Sequence, residues 1–167
     1  MALPAPITIS QTAQLIHAAV SEFAETYGGK AEIVSNLKEL WNQANINSQS
    51  PRILIVYNGE TSRGSFSQIA PWHRVDRSWL IAVTKGRGWY ANRGDSLYNA
   101  EVQEMPLYDV VENVRDVVRF LQTISEETPM PDYRSTKPMQ MGTMVIDGYL
   151  IEITTANDIP SNLVTQT

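Results

Sequence analysis

The chain has 167 residues, 43% of them hydrophobic and 19% charged, with a net charge of −5 and no cysteine. That is one domain's worth of chain, apolar enough for a core without staples. The composition excludes disulfide frameworks, thiolate nucleophiles and cysteine metal sites, and fits a reducing compartment. Its acid balance argues against a general nucleic-acid binder.

In chain order, "MALPAPITIS" has neither basic residues nor a long apolar run, so it does not read as a secretory signal. We expect an arm over residues 1–9, stiffened by Pro4 and Pro6. From about Ser10 to Tyr27, Ile16, Val20, Phe23 and Tyr27 keep a helical rhythm that Gly28-Gly29 stops. The spacing of Ile33, Leu37, Leu40, Trp41 and Ala44 predicts a second helix near Ala31 to Asn45.

"RILIVYNGETSRGS" then opens as an apolar strand, Arg52–Tyr57, and runs into a glycine-bounded loop close to a phosphate cradle. The cradle needs a lysine after its second glycine and a helix to follow. Ser65 stands in the lysine's place, and Pro71 disfavours a helix there. Gly59 and Gly64 therefore read as residues of a connector. A long strand is expected over Trp72–Thr84, rich in aromatic and β-branched residues.

Lys85 to Gly88 release the chain into "WYANRGDSLYNAEVQEMP", a polar loop unusually long for a compact domain. Its RGD tripeptide, Arg93–Asp95, reads as chance in this composition. After Pro106, Val110, Val114, Val117, Val118 and Leu121 predict a third helix with a narrow apolar stripe. "TMVIDGYLIEIT" carries Asp147-Gly148 between apolar runs, the signature of a tight hairpin, and residues 156–167 read as a loose tail. The expected architecture is a single α+β domain, a mostly antiparallel four-stranded sheet with its helices packed on one face.

Catalytic chemistry finds no anchor in the sequence. His17 and His73 lack partners at metal-ligand spacing, no serine lies in a G-x-S-x-G elbow, and paired acids sit on helix faces. The chain reads as a non-enzyme with no cofactor and no metal. Charge is its strongest feature. Arg63 to Arg93 holds six basic residues against one acid, Asp76, a local charge of +5; the remainder carries −10. Arg74, Arg77, Lys85, Arg87, Trp89, Tyr90 and Arg93 are the candidate interface residues, because arginine and large aromatics anchor protein contacts. The same set could grip a nucleic-acid backbone while stacking bases, or could simply solvate a strand edge.

Four stretches, "RILIVYNG", "HRVDRSWLIAVTKG", "PLYDVVENVRDVVRFL" and "GTMVIDGYLIEITT", resemble the tail terminator (tail completion) proteins of long-tailed bacteriophages, over roughly Arg52 to Thr155. The second helix and the long loop depart from the leaner members of that family. The resemblance implies a subunit of a homo-oligomeric ring, usually a hexamer. Such a ring caps the tail tube, ends its polymerisation and offers a surface to the head or neck connector. It also implies a virion protein at the head-proximal end of the tail, assembled in the host cytoplasm. Double-stranded DNA passes through without being read, no membrane is involved, and nothing is catalysed. Another head–tail joining protein, of the neck or head-completion kind, is the alternative within that class; a nucleic-acid-associated module is the alternative outside it.

Overall fold

A computed structural model describes residues 8–26, 28–44, 52–62, 72–84, 98, 106–119, 131–141 and 144–160. In chain order these form α1 (Ile9–Glu25), β1 (Lys30–Ile33), α2 (Leu37–Ala44), β2 (Arg52–Ser62), β3 (Trp72–Thr84), α3 (Leu107–Arg119), β4 (Asp132–Met141) and β5 (Met144–Pro160). They make one five-stranded sheet in the order β1-β2-β3-β5-β4. β1 runs parallel to β2, and every other neighbouring pair is antiparallel. The protein is therefore α+β, but its sheet is mixed and has five strands, not four mostly antiparallel ones.

Backbone alternation divides the core in two. On one face Ile53, Ile55, Trp79, Ile81, Val83, Ile151 and Ile153 meet Ile16, Val20 and Ala24 of α1 and Leu107, Val110, Val114 and Val118 of α3. On the other, Leu54, Val56, Leu80, Ala82 and Met139 meet Leu40 and Ala44 of α2. β2 and β3 lie between the two layers, which is why their apolar runs do not alternate with polar residues. The helices thus cover both faces rather than one, as α2 must: it is the crossover of the parallel β1-α2-β2 unit.

Local chemistry explains the helix starts. Thr8 and Gln11 form a reciprocal capping box at the head of α1, so helix begins at Ile9 inside the expected arm. Asn36 accepts from the Glu39 N–H at 2.9 Å and starts α2. The expected second helix consequently divides: its first residues pair with β2 as β1, and helix resumes only after the cap.

Two glycines are used differently from the sequence expectation. Gly59 lies inside β2, not in a loop beyond it. Its φ of 96° sits at a bulge where the pairing jumps from Tyr57↔Trp79 to Glu60↔Arg77. Asp147-Gly148 is no hairpin turn. β5 runs straight through it, and Gly148 pairs with Thr84. A Cβ there would stand 2.6 Å from the Val83 carbonyl oxygen, so close backbone approach explains this glycine. The β4–β5 turn instead falls between Met141 and Met144. β5 also continues to Pro160, paired with β3, so residues 156–160 of the expected loose tail are strand.

Candidate interaction surface

β3 is the element that organises the candidate residues. It has 13 residues and is paired on both sides, to β2 and to β5. Arg74 and Arg77 lie near its start, and Lys85 follows directly after its last residue, Thr84. At about 3.3 Å per residue, Arg74 and Thr84 stand roughly 33 Å apart. Arg74 and Lys85 therefore belong to opposite ends of β3 rather than to one spot on it.

The two arginines on β3 differ in kind. Arg74 is exposed. Arg77 is 5% exposed, and its Nε donates to Glu60 Oε2 at 3.1 Å across the β2–β3 ladder. The bulge at Gly59 makes this pair possible by returning Glu60 to the face that Tyr57 occupies. Next along, Trp79 is fully buried, its Nε1–H donates to Thr155 Oγ1 at 3.0 Å, and its ring lies 5.2 Å from that of Tyr57. Burial, then the Glu60 carboxylate, push the Tyr57 phenol above its ordinary pKa. Arg77 and Trp79 thus close the end of the core, and Arg77 is not a surface cation. Lys85, Arg87, Trp89, Tyr90 and Arg93 lie outside the described residues, as does all of the long polar loop except Tyr98, which is exposed, and Pro106.

Two further features stand beside the candidate residues. The outer surface of the α1/α3 layer is acidic, with Glu22, Glu25, Asp109 and Glu112 exposed and Asp116 partly so. α1 contains no lysine or arginine; α3 has two arginines against its three acids, Arg115, which is bound to Asp116 at 3.1 Å, and Arg119 in its last turn. The sequence already set an acidic remainder, helix three included, against the basic segment; the structure adds that Glu22 and Glu25 of α1 lie on the same layer.

The second is a cleft of about 400 Å³ along β1, lined by His17, Ala31, Glu32, Ile33, Val34, Glu39 and Gln43. His17, weighed in the sequence as a possible ligand, donates through Nε2 to the Ala31 carbonyl at 3.1 Å, with Ser21 Oγ 3.3 Å from the same nitrogen. Glu32 binds Lys30 Nζ at 2.9 Å and the Arg52 guanidinium, which also holds Gln43 at the end of α2. The Lys30 ammonium, helped by Arg52 and opposed by burial, holds the Glu32 carboxyl below the usual carboxylate pKa. Among the described residues no three histidine or acidic side chains are grouped to hold a metal ion, and no helix is long and apolar enough to cross a membrane.

Comparison of the chain with family models and with curated protein sequences gives no match.

Proposed function

We propose that this chain is a structural subunit that self-associates head to tail, and that its assembly is a ring closing the tail tube of a long-tailed bacteriophage. A head-to-tail ring needs two unlike, complementary patches on each subunit. What supports the reading is the acidic outer layer of α1 and α3, set against the basic run of the sequence, in which Arg74 is exposed near the start of β3 and Lys85, Arg87 and Arg93 follow its last residue. The likeness of the strand and helix stretches to tail terminators supplies the assembly in which that pairing has a purpose. β3 has exposed Arg74 near its start, and in the sequence Lys85 and Arg87 follow directly after its other end. One end can then serve the neighbouring subunit and the other the tube or the head connector.

Light scattering and electron microscopy of the purified protein, alone and with tail tubes, test this reading. Rings, or caps on tube ends, are the expected result. Arg74→Glu combined with Arg87→Glu should weaken association at low salt about tenfold, the loss of two rim charge contacts. Unchanged association, or binding only to DNA with a steep salt slope, overturns the proposal. Docking on heads instead of tubes would assign the chain to the neck.

A further inference from the structure

β1 is the outermost strand on its side, and no described strand lies beyond it. Val34 donates its N–H to Ile55 of β2 at 2.8 Å. Alternation of the backbone therefore turns Ala31 and Ile33 outward. The hydrogen bond from His17 to the Ala31 carbonyl agrees with this. It leaves the Ala31 N–H and both polar groups of Ile33 facing the cleft. Such an edge is a template for another extended segment. Apolar surface lies beside it: Ile33 is 48% exposed, and Ile9, at 37%, shares a ridge of α1 with Ala13 and His17.

The geometry points to the segment Leu3–Ile7 of a second copy of this chain as the strand that occupies the β1 edge. In "LPAPI" each proline presses the residue before it into extended geometry. Donors remain only at Leu3, Ala5 and Ile7, all on one edge of such a strand. The opposite edge, carrying Pro4 and Pro6, can accept no further ladder. The segment can thus join a sheet and also end it. Leu3, Ala5 and Ile7 share one face, which suits Ile33 and the α1 ridge, and the segment carries no charged side chain.

Topology excludes the chain's own segment. Paired parallel to β1, it would make a second parallel crossover through α1, in the same direction across the sheet as β1-α2-β2. Because α1 and α2 lie on opposite faces, the two crossovers would have opposite hands, against the strong right-handed rule. Paired antiparallel, Ile7 would end beside Lys30. Yet Thr8 heads α1 nine residues before His17, roughly 13 Å along the helix from the level of Ala31. A second copy has neither problem. The inference rests on the proposed self-association, and on nothing about tails.

The absence of native cysteine makes the test clean. Ala5→Cys and Ile33→Cys chains, one tagged, are prepared separately, mixed and oxidised; neighbouring strands place Cα atoms within disulfide reach. A disulfide joining tagged to untagged chain is expected, at several times the yield of Ala5→Cys with Lys137→Cys on the opposite edge. Equal yields, no link, or a link forming only within a doubly substituted chain at high dilution overturns the exchange. Light scattering on the same samples separates the two readings. Self-association without the link removes the strand exchange and leaves the ring standing, whereas strict monomers count against both. Should Ile33→Cys fold poorly, amide exchange of Ile33 decides. It should slow about tenfold with rising concentration in the native chain, and not in Leu3→Asp/Ile7→Asp. Equal exchange in both overturns the proposal.

Discussion

The two faces of the sheet share β2 and β3 yet are built on different scales. The α1/α3 face buries two full helices and an unbroken row of large side chains from β2, β3 and β5. The α2 face buries one helix of eight residues against Leu54, Val56, Leu80, Ala82 and Met139, and its rim is held by ion pairs around Arg52. A short helix contributes little on its own, so its stability derives from the sheet beneath it. Cohesion therefore resides on the first face, whereas the second is the side that can yield locally, next to the β1 cleft.

Substitutions can break that comparison, and the largest effect is expected at Trp79. Trp79→Ala should cost about 3–5 kcal/mol in a urea melt, since it removes a fully buried ring and strands the Thr155 hydroxyl. Leu40→Ala, on the thinner face, should cost about 2–3 kcal/mol, because an eight-residue helix can settle into the space left. Amide exchange should then rise in α2 and β1 before β3. A Leu40→Ala loss equal to that of Trp79→Ala, or uniform exchange, would refute the asymmetry.

A smaller effect is expected at Glu60→Gln, about 1–2 kcal/mol, because the carboxylate is 37% exposed while the guanidinium it binds is nearly buried. The smallest belongs to Glu32. Its folded pKa lies below the unfolded one, so its contribution is full at neutral pH and drains away as pH falls through and below the ordinary carboxylate range. Glu32→Gln should therefore lower stability by less than about 1 kcal/mol at neutral pH and by nothing in acid. A deficit persisting in acid would mean that shape, not charge, matters there.

The elements legible in the sequence were those whose side chains meet a single demand. β3 was read at its observed bounds because burial on both faces leaves an apolar run. α1 and α3 were read because one face is buried and the other is wet. β1 was hidden because Ile33 fits the helical spacing of Leu37, Leu40 and Ala44 as well as the strand spacing of Ala31. β4 was hidden because "DYRSTKPMQM" is an edge strand whose well-buried described side chain is Met139, and Pro138 argues against a strand anywhere but an edge. Asp147-Gly148 misled for a different reason. The glycine answers to the Val83 carbonyl of a strand far away in sequence, and no local pattern reveals such a neighbour. The candidate site was half legible. Charge counted along the chain located the cations, but not that Arg77 turns inward or that the length of β3 lies between Arg74 and Lys85.

The length of β3 also carries a mechanical consequence. Partners gripping the two ends of this strand would pull along its axis, and the load would pass at once into the ladders with β2 and β5 on either side. Backbone hydrogen bonds strained in that way share the force and must slip together rather than unzip one after another. A subunit strung on such a member would resist tension along β3 far better than a pull across the sheet.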